Sequence, residues 1–301
     1  IVQNLINFLP KKLSYSTYKF IQLKFGRGLK VDYERFLNRS IQLFDYFKKN
    51  NINHDAVLEL GTGRNITTLI GLKILGVSKI ITVDLNPYLD ENITKESIIQ
   101  ILSKKNEVFN LFKKYITYDD FQKQISLLEK LLELPLKDLM KKLNIDYYPY
   151  TDARKIKFLE NNSVDIYFSD QVLEHIPFGT IKEIIHEAKR ILKKDGLIFS
   201  FIGLHDHFST IDKSISKINF LKYSDFIWHV LSGNKFMYHN RLRSSEYSKL
   251  FIECDLKILD KKERVDKKSL ELLDGNFKIN RKFEKFEKND LCVTSMLLVC
   301  S

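Results

Sequence analysis

The sequence predicts an α/β fold built on an open, mostly parallel sheet, and three observations predict it. Apolar runs of strand length alternate with stretches of helical period from Ala56 to Ile202. The first run, Ala56 to Leu60, ends in Gly61-Thr62-Gly63, a turn in which glycines let the backbone bend tightly and approach a ligand. The second run, Lys79 to Val83, ends in Asp84, where an acid can hold both hydroxyls of a ribose. A nucleoside-containing cofactor is implied.

The elements follow in order. Residues 1–50 carry helical spacing, as in Tyr33, Phe36, Leu37, Ile41, Phe44 and Phe47, and form an N-terminal helical cap ahead of a domain at 51–301. Within the cap, the basic and aromatic stretch Pro10 to Arg27 suits an amphipathic helix packed on the core or closing over a ligand. Strand one is Ala56 to Leu60, a helix runs Ile66 to Leu75, and strand two ends at Asp84. Strand three is Ile145 to Tyr150, strand four Val164 to Ser169, the next helix Thr180 to Leu192, and strand five Gly196 to Ile202, with Lys193-Lys194-Asp195-Gly196 as the helix-stopping turn. Leu256 to Val265 and Leu291 to Cys300 read as two closing strands joined by a polar loop containing Asp274-Gly275-Asn276.

Two stretches exceed what connections need. A βαβ crossover takes about a dozen residues, yet 87–144 lies between strands two and three, with helical spacing in Ile93 to Lys105 and Phe121 to Lys142. The other excess, 205–247, follows strand five on the acceptor side. Ligands bind beyond the carboxyl ends of strands in such sheets, so both insertions are candidates for acceptor specificity.

Composition bounds the rest. With 44% hydrophobic residues the chain builds a real core, and no run of 18 apolar residues suggests a membrane span. Ile1 to Pro10 lacks a small-residue cleavage site, so a cytoplasmic location is expected. Cys254, Cys292 and Cys300 have neither metal nor disulfide spacing and read as buried packing residues. The formal charge of +11 is largely lysine, which compositional bias alone can produce; it also suits an anionic acceptor.

The turn identifies the cofactor more closely. A dinucleotide fingerprint requires a third glycine, and here that position is Ile66. Glu59, two residues before the first glycine, would repel a pyrophosphate and attract a cation. Glu59-Leu60-Gly61-Thr62-Gly63 with Asp84 resembles the class I S-adenosylmethionine-dependent methyltransferases. The resemblance implies a Rossmann-like sheet of seven strands with the last antiparallel, S-adenosylmethionine as cofactor, and binding roles for Glu59, Gly61, Thr62, Gly63, Asp84 and Leu85. It extends to Thr151-Asp152-Ala153, where Asp152 would bond the adenine amino group and Ala153 would line the ring. It also covers Ser169 to His175, in which Ser169, Asp170 and Gln171 would face the methionine end.

Methyl transfer to a hydroxyl benefits from a base, whereas an anionic oxygen needs none. Beyond strand five, His205 and His207 flank Asp206 in Leu204-His205-Asp206-His207-Phe208 and are the candidate catalytic residues. His175, Arg241 and Arg243 are candidate substrate contacts. Some similar enzymes bind a divalent ion through E-x-x-E-H and a later histidine; Gln171 replaces the first acid here. No metal is expected, with Glu174 and His175 as the alternative.

The N/D-P-P-Y/F segment of amino-group base methyltransferases is missing after strand four, and all cysteines fall late, so nucleic-acid base methylation is disfavoured. Phe25-Gly26-Arg27, the Leu204 to Phe208 segment, Ile218 to Asp225 and His239 to Arg243 resemble bacterial methyltransferases encoded with capsule or O-antigen genes. That resemblance implies O-methylation of a sugar or a phosphate-type group such as phosphoramidate, on an anionic small molecule or a nucleotide-linked glycan precursor. A 2′-O-methyltransferase of RNA and a non-catalytic cofactor-binding module are the alternatives.

Overall fold

A computed structural model describes Leu13, Thr17 and residues 32–234 and 238–301. The Pro10 to Arg27 stretch, apart from Leu13 and Thr17, and Lys235 to Met237 lie outside the described residues. Helix α1 (Tyr33–Lys49) starts where the Asp32 carboxylate accepts from Arg35 N at 3.0 Å, and it carries Lys48 and Lys49 in its last turn, the sign its dipole favours. Its buried stripe of Leu37, Ser40, Phe44 and Phe47 packs on α2 (Thr67–Ile74), where Ser40 Oγ donates to Thr68 O at 2.8 Å. Gly71 makes the approach possible, since a Cβ there would fall 2.2 Å from Ser40 Oγ.

Strands β1 (Ala56–Leu60), β2 (Lys79–Asp84) and β3 (Ile145–Pro149) pair in parallel, with Leu60 opposite Val83 and Asp84 opposite Pro149. The insertion before β3 holds four helices, where two are expected: α3 (Glu91–Ser103), α4 (Lys105–Phe112), α5 (Tyr118–Leu131) and α6 (Leu136–Lys142). The reason is in local chemistry. Thr117 caps α5 by accepting from Asp120 N, and Pro135, whose ring cannot continue a helix, forces a new start at Leu136.

After β4 (Val164–Asp170) comes α7 (Phe178–Ile191), which passes directly into β5 (Leu192–Gly203). The turn expected at Lys193 to Gly196 is therefore strand. Lys193 Nζ donates to Asp165 Oδ1 at 2.8 Å, and Gly196 lies so close to Asp165 that a Cβ would come 2.9 Å from its carbonyl oxygen. Pairing outweighs the local stop signal.

Beyond β5 lie α8 (Phe208–Ile211), α9 (Asp225–Ser232) and α10 (Ser244–Glu253), then β6 (Ile258–Val265), α11 (Lys267–Asp274), α12 (Lys288–Leu291) and β7 (Val293–Cys300). The loop expected between the closing strands thus holds two helices, α11 and α12. Asp266 starts α11 by accepting from Ser269 N at 3.1 Å, and Phe277, Ile279 and Phe286 pack on the buried Phe220, Trp228 and Phe283. β6 and β7 pair antiparallel, and the seven strands form one sheet in the order β3-β2-β1-β4-β5-β7-β6. Lys261, Lys262 and Arg264 on exposed β6 keep that edge from pairing further. The described residues divide into two compact units, 32–168 with Glu187–Ile198, and Ser169–His186 with 199–234 and 238–301. No helix among them is long and apolar enough to cross a membrane.

Candidate cofactor and histidine sites

The first unit holds the glycine turn. Gly61 and Gly63 have φ of 84° and 63°, the left-handed region that a side chain strains. Gly61 N donates to Val83 O at 2.8 Å, tying the turn to the end of β2. Asp84 is buried; its Oδ2 accepts from Gly63 N at 3.1 Å and its Oδ1 from Asn86 N at 2.9 Å. Each oxygen keeps a second lone pair, the requirement for receiving two ribose hydroxyls. Burial pushes the Asp84 carboxyl up, against the pull of the Asn86 and Gly63 N–H groups.

Glu59 is also buried, and a relay absent from the sequence reading orients it. Thr82 Oγ1 donates to Glu59 Oε2 at 2.6 Å and lies 2.7 Å from Thr62 Oγ1, which must then donate to it. A threonine interrupting the apolar run Ile80-Ile81-Thr82-Val83 was the available signal. Leu85 is exposed and Ala153 buried. Asp152 is half-exposed and held bidentate by Arg154, with Nε at 3.0 Å and an Nη at 2.6 Å, which lowers its pKa. An adenine amino group would share that carboxylate with Arg154.

The second unit begins at the end of β4. Ser169 is buried, and Gln171, at φ 57°, donates its N–H to Phe201 O at 2.8 Å. The following turn of 3₁₀ helix, Leu173–His175, is clamped by Asn240, whose Nδ2 donates to Leu173 O at 2.8 Å and Ile176 O at 2.9 Å. Glu174 is wholly buried, with Oε1 accepting from Gly203 N at 2.9 Å. Burial pushes its pKa up to about 8.

Around this turn the fold gathers four imidazoles. Ring centroids are 5.0 Å apart for His175 and His207, 5.0 Å for His205 and His207, 4.5 Å for His207 and His239, and 6.1 Å for His175 and His239. His175 Nδ1 meets Tyr238 O at 2.8 Å, and His205 Nδ1 meets Thr294 O at 3.2 Å. Burial lowers the pKa of each, His207 to about 3, where the neighbouring His175 and His205 add to the effect. His239, which begins the His239 to Arg243 segment, was not singled out as a site residue in the sequence.

Arg241 and Arg243 are not open to an acceptor. Arg243 is wholly buried, donating to Leu204 O at 3.1 Å, Arg241 O at 3.3 Å and Leu291 O at 3.5 Å over the Phe220 ring. Arg241 donates to Phe220 O, Tyr223 O and Asp225. Their basic-aromatic surroundings in the sequence are core packing. The three cysteines are buried and free.

Residues 106–200 match the family described as "Methyltransferase domain". No curated protein matches the chain. Among solved structures it is similar to an S-adenosylmethionine-dependent methyltransferase from Clostridium acetobutylicum, at 14% identity and a TM-score of 0.48, with 95% of this chain and 98% of that chain covered. Another is from Archaeoglobus fulgidus, at 15% identity and TM-score 0.47, covering 94% and 98%. Geranyl diphosphate C-methyltransferase from Streptomyces coelicolor aligns at 9% identity and TM-score 0.46, covering 87% and 79%. The matched segment is similar to a methyltransferase domain, and the order of the seven strands and the glycine turn with its two acids fit a methyltransferase that uses S-adenosylmethionine.

Proposed function

We propose that this methyltransferase acts on an oxygen of a sugar or phosphate-type group, such as a phosphoramidate, carried by an anionic or nucleotide-linked precursor of a surface glycan. S-adenosylmethionine, when bound, supplies an electrophilic methyl group. Gly61 and Gly63 would give its backbone-lined seat, Asp84 the ribose acceptors and Glu59 the counter-charge.

The observation that carries the acceptor reading is the lowered basicity of His205 and His207. A buried imidazole whose protonated form is disfavoured takes a proton poorly, so it serves a neutral hydroxyl less well than an oxygen already anionic. It can still donate an N–H to such an oxygen. The excess of 49 Lys and Arg over 38 Asp and Glu favours the same charge class.

Tritiated cofactor screened against nucleotide sugars, phosphorylated glycan precursors and total RNA tests this reading. Label entering the first two supports it. Label entering RNA with a steep salt dependence transfers the assignment to a 2′-O-methyltransferase. Titration showing no S-adenosylmethionine binding would reduce the chain to a module without catalysis. Separate His205→Ala and His207→Ala variants divide the chemistry: turnover unchanged in both favours the anionic acceptor, and loss in His205→Ala assigns a proton carrier.

A further inference from the structure

The second unit contains a donor set that the methyl-transfer reading leaves unused. Glu174, His175 and His207 each offer a ligand atom, and those atoms all lie within 4.8 Å of one another. Ligands at zinc–nitrogen and zinc–oxygen bond lengths of roughly 2.0–2.1 Å sit about 3.4 Å apart in a tetrahedron, so contraction by up to about 1.4 Å closes the set.

Three independent features point to a cation there. Glu174 Oε2 is buried without a hydrogen-bond partner among the described residues, and the charge acting on Glu174 is that of Asp170, an anion. An orphaned carboxylate oxygen of this kind costs several kcal/mol unless a proton or a cation faces it. His239 is buried 4.5 Å from His207 by ring centroids, and neither of its ring nitrogens has a partner among the described residues. Finally, the Tyr238 carbonyl accepts from His175 Nδ1–H at 2.8 Å, which leaves Nε2 with its lone pair and fixes the ring. That carbonyl–imidazole arrangement is how proteins orient a metal-binding histidine.

We propose that Glu174, His175 and His207 bind one divalent first-row transition ion, with His239 as the fourth donor. Two or three neutral imidazoles beside one carboxylate suit zinc, iron or manganese better than magnesium, which prefers oxygen. This revises the expectation of no metal. Glu174 supplies the acid of the set, and Gln171 shares its surroundings: its Oε1 and Glu174 Oε1 both lie 2.6 Å from where a Cβ on Gly203 would stand. A glycine at 203 is what admits the pair.

The proposal stands apart from the acceptor assignment, because metal uptake is measured without cofactor or acceptor. Full-length chain, stripped with chelator, is titrated with Co²⁺ and followed by visible ligand-field absorption, then with Zn²⁺ in competition. One equivalent bound is expected. Glu174→Gln and His207→Asn should weaken it by roughly 10- to 100-fold or more, whereas His229→Asn, on exposed α9, should leave it unchanged. Circular dichroism verifies that the variants fold. For a variant that does not, X-ray absorption of the zinc-loaded wild-type chain decides: an imidazole-containing nitrogen and oxygen shell is expected. No stoichiometric uptake, a shell without imidazole, or equal uptake by folded Glu174→Gln and His207→Asn would overturn the site.

Discussion

Thr82→Val tests the relay that holds Glu59. The change conserves shape, so it removes a hydroxyl and adds a methyl at a position with 0% exposure. The hydroxyl donates to the Glu59 carboxylate at 2.6 Å and receives Thr62 at 2.7 Å. A hydrogen bond to a charged acceptor contributes about 1.5–3 kcal/mol and a neutral one about 1 kcal/mol. The added buried methyl returns roughly 0.8 kcal/mol. The expected net loss is about 2–3 kcal/mol, which thermal unfolding reads as a fall in Tm of roughly 3–5 °C. Released from Thr82, the Glu59 carboxylate loses its orientation, so calorimetric S-adenosylmethionine affinity should fall about tenfold, equivalent to about 1.4 kcal/mol. Thr82→Ser keeps the hydroxyl and should retain most of both. A Thr82→Val protein of wild-type Tm and affinity would refute the relay, and lost stability with unchanged affinity would refute its link to the cofactor.

Three further outcomes are expected. The folded Asp84 carboxyl is raised by burial, so its contribution to stability falls as pH climbs from the ordinary value of 3.8 through the raised one. Urea midpoints of Asp84→Asn across pH should lack that decline, while wild-type cofactor affinity, which needs the carboxylate, should drop on acidification earlier than an ordinary Asp would produce. Arg243→Met strands the Leu204, Arg241 and Leu291 carbonyls; denaturant unfolding should show a loss of about 2–4 kcal/mol, and a variant as stable as wild type would contradict the buried bonding. Gly71→Ala should cost roughly 1–3 kcal/mol by overpacking against Ser40, and Ser40→Gly in the same chain should restore most of it in the same unfolding measurement.

The sheet was legible because its signals are local. Apolar runs, Gly61 and Gly63, and the acids ending β1 and β2 each act within a few residues, and the strands lie close to where they were expected. Lys193 to Gly196 failed for the opposite reason: its partner Asp165 lies 28 residues away along the chain. Arg241 and Arg243 misled in the same manner, since cations among aromatics look alike in sequence whether they face solvent or, as here, spend their N–H groups on backbone carbonyls. Only the contacts distinguish these cases.

The histidines show how burial changes the meaning of a residue that sequence identifies correctly. His205 and His207 are brought together with His175 and His239, but the apolar surroundings that gather them also remove their affinity for protons. General-base catalysis is most efficient with a pKa near the working pH, and burial moves these rings away from that range. Metal ligation has the opposite requirement, a neutral ring with one nitrogen fixed by a hydrogen bond and the other open, which is the state His175 holds through Tyr238. The same desolvation that weakens the cluster as a base prepares it as a ligand set. Separate measurements of metal uptake and of turnover in His205→Ala and His207→Ala therefore divide the roles: His207→Ala should lose the ion, and His205→Ala, whose Nδ1 is engaged by Thr294 O, should keep it.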